Sequence, residues 1–284
     1  MQHILDMRLM HLLINRTMPL RLAAALAEFR LLAPRLPHNQ RLKAWAERIL
    51  ELSGPDLIHW HAEAWWGYLA SMAVINRLRH DRHAEVLELM DPPDWTRLPS
   101  GAGLVLVNAH AGPSLTAALA ARYCGRPLLV YGTNTLLSAQ QFLAAEAKHQ
   151  GLAAGLAHLR SGGAVLISPD GHLGARPRQL PFMGGMVGVM PGAAHLARSA
   201  GVGGFWLVQI WRGERIGFNL EPMPPSHGKA EDVELAWAAA YLARLEATYR
   251  ADPRNLRLEG GFWRPGGHRS LPRESVTTHQ PERW

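Results

Sequence analysis

The stretch LVLVNAHAGPSLTAALA, Leu104–Ala120, decides how the chain folds. Leu104 to Val107 run without a polar break, the pattern of a strand buried on both faces. Asn108 and His110 end the run. Pro113 and Ser114 then open an Ala/Leu-rich segment that reads as a helix, with proline in its first turn. A strand that feeds a helix through a short loop is the building unit of an α/β sheet. In open sheets of this kind, ligands gather at the carboxyl ends of the strands.

The same signature recurs downstream. RPLLVYG predicts a second strand, with Tyr131 and Asn134 at its end, and GAVLISPDG a third, with Asp170 and His172 at its end. The segments SAQQFLAAEAKHQGLAAGLAHLRSG and VMPGAAHLARSAG read as helices. GFWLVQIWRG and RIGFNLEPMP read as two further strands with hairpin spacing. AEDVELAWAAAYLARLEATYRADP reads as a long helix stopped by Asp252-Pro253. The expected fold class is α/β: a mixed, largely parallel central sheet flanked by helices, with a helical N-terminal region.

Residues 1–95 carry that helical region. NQRLKAWAERILELSG ends on Gly54, a second helix follows to about Leu78, and the turn DPPDW at 91–95 marks the boundary. The α/β domain is expected over 96–262 and a Pro/Gly/Ser/Arg-rich flexible tail over 263–284. The best candidate for a membrane span, MPLRLAAALAEFRLLAPRL, is cut by Arg21, Glu28, Arg30 and Arg35, whereas spanning takes roughly 20 mostly apolar residues. No signal peptide stands out. The expected location is cytoplasmic, at the inner face of the cytoplasmic membrane.

Of 284 residues, 48% are hydrophobic and 19% charged, a globular composition with enough apolar material for a sizeable core. The formal net charge of +7 favours anionic partners, among them acidic carrier proteins and anionic lipid. Nucleic acid is not expected, because the basic residues are scattered and form no recognised module. Cys124, the single cysteine, excludes an intrachain disulfide. Five of ten tryptophans (Trp45, Trp60, Trp65, Trp66 and Trp95) fall in the first hundred residues, as suits a helix at a wet–apolar boundary.

Several residues invite chemistry. His110 has the character of a general base, a neutral imidazole that takes a proton from a hydroxyl, or of a histidine that caps the next helix. Ser114 lies outside a nucleophile-elbow pattern and reads as a capping serine in a helix start. His59 and His61 point apart on a helix, and His80 and His83 lack committed co-ligands, so no metal is expected. PFMGGMVGVMPG lacks both phosphate-loop patterns, so no nucleotide and no other cofactor is expected. Arg176 and Arg178 either hold a phosphate or the face of an acidic carrier, or form a solvated basic loop.

The order of these pieces resembles the bacterial lipid A biosynthesis acyltransferases, within the wider lysophospholipid acyltransferase superfamily. The carrying stretches are LVLVNAHAG, GGAVLISPDGHLGARPRQLPFMGG, PGAAHLARSAGVGGFWLVQIWR and LARLEATYRADPRNLRL, and together the resemblance covers about residues 40–260. It implies transfer of an acyl group from an acyl-carrier-protein or coenzyme A thioester to a hydroxyl or amine. It also implies a place in lipid metabolism at a membrane surface.

In that family a histidine is followed, after four residues, by Asp or Glu. His110 matches the histidine, but the acidic position falls on Leu115. Gly132 stands where the family often has an arginine. Losing the carboxylate that orients a catalytic histidine costs about ten-thousandfold in turnover, on the order of 5 kcal/mol. Asp170, ending another strand, is the best substitute and Glu146 a poorer one. The expected site therefore has His110 and Asp170 as catalytic residues. Asn108, Ser114, Tyr131, Asn134, His172, Arg176, Arg178, Phe182 and Gly184 are expected around the substrate, with the acyl chain near Phe182 and Gly184. The alternative is a non-catalytic descendant of the same fold that binds an acyl carrier or lipid.

Overall fold

The computed structural model describes residues 45–131, 143–144, 148–171, 177–257 and 268–270. A helical turn at 45–49 leads to helix α1, Gly54–Arg79, and then to α2, His83–Glu88. The α/β part follows as β1 (Leu104–Val107), α3 (Thr116–Ala121), β2 (Leu128–Val130), β3 (Leu143–Ala144), α4 (Lys148–Arg160) and β4 (Ala164–Ile167). After these come β5 (Arg178–Phe182), β6 (Gly185–Val189), α5 (Gly192–Ala200), β7 (Gly203–Arg212), β8 (Arg215–Pro222), α6 (Ala230–Ala251) and β9 (His268–Ser270).

Six strands form one sheet in the order β3-β2-β4-β1-β7-β8. The first five are mutually parallel and only β8 runs against its neighbour. β1 sits near the centre between β4 and β7, which is why all four of its residues are buried. The α/β class, the largely parallel sheet and the β7–β8 hairpin are as the sequence implies. A second, three-stranded antiparallel sheet joins β5, β6 and β9. Its third strand comes from the stretch that was expected to be a loose tail.

The alternation of side chains along a strand divides the core in two. Val105 and Val107 pack on one face with Trp60, Leu69, Ala194, Trp206, Trp237 and Tyr241. Leu104 and Leu106 pack on the other with Leu78, Leu119, Leu207 and Trp211. Helix α1 feeds both clusters, its early turns the first and its later turns the second. The expected boundary at 91–95 is also bridged, by Met90 beside Ile216 and by Arg215 Nε on Asp91 Oδ1 at 2.7 Å. The described part of the helical region therefore shares its core with the sheet. Among the described residues, no helix is long and apolar enough to cross a membrane.

Candidate functional site

The register of the sheet brings two strand tips to one height. Val107 of β1 is paired with Ile167 of β4, and the Asn108 amide donates to the Ile167 carbonyl at 2.9 Å. His110 and Asp170 each lie three residues beyond that pair. Adjacent strands run about 5 Å apart, so residues at equal height beyond a pair can touch. His110 Nδ1 stands 2.8 Å from Asp170 Oδ1, and the His110 backbone N–H donates to Asp170 Oδ2 at 3.0 Å. The ring leaves about a third of its side chain exposed, whereas the Asp170 side chain is 2% exposed.

Two opposing effects act on the Asp170 carboxyl. Burial raises its pKa, but the charge of His110 and the hydrogen bonds from its ring and backbone prevail, and the carboxyl stays below the ordinary value. An ionised carboxylate only accepts hydrogen bonds, so the ring proton sits on Nδ1. That leaves the lone pair of the neutral ring on Nε2, the arrangement a general base needs.

The loop that carries His110 is held from several sides. Gln209 of β7, fully buried, donates its amide to the carbonyls of Ala109, at 3.1 Å, and Ala111. Tyr249 of α6 donates its hydroxyl to the His110 carbonyl at 3.0 Å. The Gly112 amide donates to the Asn255 carbonyl at 2.9 Å, and the Asn255 side-chain oxygen accepts from the Trp211 amide at 2.7 Å. Gly112 adopts a φ of +44°, and a Cβ there would lie 3.3 Å from Asn255 Oδ1. Any residue but glycine would be strained and crowded at this point. Helix α6 also places the buried Tyr241 phenol beside Asp170, where burial and the negative carboxylate push its pKa well above the ordinary value.

The other expected site residues are placed as follows. Asn108 and Ser114 are buried beside the His110 loop. The Asn108 amide reaches the Ser114 carbonyl at 3.5 Å, and the Ser114 hydroxyl accepts from Arg257 at 2.8 Å. Tyr131 is turned onto α4, with its hydroxyl donating to the Gly151 carbonyl and its ring against Gly155. Arg178 is bound by α6: its Nε and a terminal nitrogen donate to Glu234 Oε2 at 3.0 and 2.6 Å, and Glu231 lies 3.5 Å away. Phe182 is buried, edge-on to Tyr249 at 6.3 Å. Met183 and Gly184, both with positive φ, make the tight turn from β5 to β6. The Gly184 carbonyl accepts from Arg48 at 3.2 Å. Asn134, His172 and Arg176 lie outside the described residues, as do Gly132 and Glu146.

Leu115 stands where the acyltransferases that the sequence resembles carry an acid. It is buried in the second core cluster with Leu106 and Leu119, away from the cluster that holds Val107 and Tyr241. Gln209, Tyr241, Tyr249, Asn255 and Arg257 were not anticipated. Of these, Gln209 had a visible signal, a lone amide in the apolar run FWLVQIW. Among the described residues no three His, Cys, Asp or Glu side chains converge as a metal site would require.

No family model matches the chain. A curated relative does. It is the Vi polysaccharide export protein VexE of Salmonella typhi, 27% identical over 256 residues that take in 82% of this chain. The chain spans about 38% of that relative's length. The relative is named for polysaccharide export, and this corrects the expected placement in acyltransferase lipid metabolism.

Proposed function

We propose that the chain serves polysaccharide export and that its His110–Asp170 centre transfers an acyl group from a thioester to a hydroxyl or amine acceptor. The observation that carries this reading is the 2.8 Å contact between His110 Nδ1 and Asp170 Oδ1, with the carboxylate buried and the ring partly open. In the reaction, Nε2 removes the acceptor proton as the acceptor oxygen or nitrogen bonds to the thioester carbonyl carbon. The carbon–sulfur bond then breaks, and the imidazolium returns its proton to the departing thiolate. Asp170 stays ionised and holds the ring. The relative's name favours a sugar hydroxyl as acceptor.

Phe182 is buried, which speaks against an acyl chain lying along it. A narrow crevice lined by Val107, Pro169, Met190, Ala194, Trp237 and Tyr241 adjoins Asp170, and an acyl chain would have to widen it to enter. The donor is an acyl carrier protein or acyl-coenzyme A, which the net charge of +7 favours. We place the protein in the cytoplasm, in contact with the inner membrane face.

The test is incubation with a panel of acyl-carrier and acyl-coenzyme A thioesters plus oligosaccharide acceptors, read by mass spectrometry. Free thiol and acylated acceptor are expected, and both should vanish in His110→Ala. A second reading, a non-catalytic descendant that binds an acyl carrier or lipid, is favoured by the conversion of the family's acidic position to core at Leu115. Thermal-shift binding of acylated carrier with no product would establish it.

A further inference from the structure

We propose that Gln209 is a positioning residue of the His110–Asp170 centre: its side-chain amide holds the carbonyl end of the Ala109–His110 peptide and so keeps the N–H end of that peptide on the Asp170 carboxylate. The inference rests on the reading of His110 as a base. Its test follows proton equilibria and not turnover, so either idea can fail alone.

The geometry begins with register. Val107 pairs with Ile167 of β4 on one side and with Trp206 of β7 on the other. His110 lies three residues beyond Val107, Asp170 three beyond Ile167 and Gln209 three beyond Trp206. The β1 loop is therefore flanked at one height by an acid from β4 and an amide from β7. A trans peptide is planar, so its C=O and N–H point in opposite directions and turn together. In the Ala109–His110 peptide the two ends go to the two neighbours. The Ala109 carbonyl accepts from Gln209 Nε2 at 3.1 Å, and the His110 N–H donates to Asp170 Oδ2 at 3.0 Å. Turning the carbonyl off Gln209 would turn the N–H off Asp170.

The Ala109 carbonyl also accepts from the Ala111 N–H at 2.9 Å, but that donor belongs to the loop and moves with it. Gln209 is anchored outside the loop, in the sheet, and the same nitrogen also reaches the Ala111 carbonyl. Filling the core does not account for this residue type. Gln209 is fully buried in an apolar run, and its Oε1 has no hydrogen-bond partner among the described residues. Burying such an acceptor costs free energy that Leu or Met in the same space would not cost. The N–H end of the amide is the part the site uses.

The experiment follows two NMR signals of the full chain through the acid range. One is the Asp170 side-chain carbon. The other is the His110 backbone amide, whose shift reports the charge of the carboxylate it donates to. The titratable groups near Asp170 are His110 and the Tyr241 phenol, and a phenol does not titrate in this range. Losing a donor disfavours the ionised carboxylate. Gln209→Met, which fills the space without a donor, should tighten proton binding at Asp170 about tenfold, one pH unit in the midpoint. It should also uncouple the His110 amide from that titration. Gln209→Glu keeps the shape. Buried against two carbonyls it stays protonated in this range, with one donor for two acceptors, so its shift should run the same way and be smaller. Leu104→Ala loosens the core from the far end of β1, and it should leave the midpoint within about twofold and the amide coupled. An unchanged midpoint and a coupled amide in both Gln209 variants would overturn the proposal. So would an equal shift in Leu104→Ala, which would mean general loosening of the site.

Discussion

Two acid–base pairs make an instructive contrast. His110–Asp170 and Arg178–Glu234 are both close contacts, 2.8 and 2.6 Å, between side chains from different elements. At the first, the acid is buried and its partner keeps one ring nitrogen for something else. At the second, the Arg178 guanidinium, its side chain 36% exposed, donates twice to the same oxygen of Glu234. A pair becomes a reactive centre when one member is fixed and shielded while the other stays open. A pair whose members serve each other at the surface is an anchor, here of β5 on α6.

The largest expected difference lies in turnover. Asp170→Asn should lower the rate of the proposed acyl transfer by about ten-thousandfold, the scale seen when a catalytic histidine loses its orienting carboxylate. Glu234→Gln should leave the rate within about twofold in the same steady-state assay. Next comes Leu115→Asp, which puts an acid where the acyltransferases that the sequence resembles carry one. Because Leu115 sits in core, it should destabilise the fold by roughly 3 kcal/mol in urea unfolding, the cost of burying an uncompensated polar group. In the Asp170→Asn background it should fail to rescue turnover.

Gln209→Leu comes third. It strips a buried donor from the carbonyls of Ala109 and Ala111, for a loss of roughly 1–3 kcal/mol. The acid limb of the stability curve gives a fourth test. Asp170 is held below its unfolded value, so its contribution is full above about pH 4 and fades as pH falls through the folded value. Parent stability should therefore fall more steeply below about pH 4 than that of Asp170→Asn. The smallest effect belongs to the surface pair, where Arg178→Ala should cost under about 1 kcal/mol.

Much of the frame was legible in the sequence, because buried parallel strands read as unbroken apolar runs and LVLV, LLV and AVLI are of that kind. The meeting of His110 with Asp170 was foreseeable for a related reason: both end such runs. What confirms that they touch is the pairing of Val107 with Ile167, a register no local pattern prints. The loop-holding groups were illegible because their partners are distant. Tyr249 lies 139 residues from His110 and Gln209 lies 100 from Ala109. The pairing of Arg178 was likewise illegible, because Glu234 of α6 lies 56 residues away. The shared core of α1 and the sheet was hidden by the Pro-rich turn at 91–95, which reads in the sequence as a boundary.

The central claim is that Asp170 sets which nitrogen of His110 is available. The most direct measurement is 15N NMR of the imidazole nitrogens in the full chain, with His110→Ala used to assign the signals. In the neutral ring the account predicts a protonated Nδ1 and a bare Nε2, with that preference lost in Asp170→Asn. A neutral ring protonated on Nε2, or one whose proton placement ignores Asp170→Asn, would contradict it.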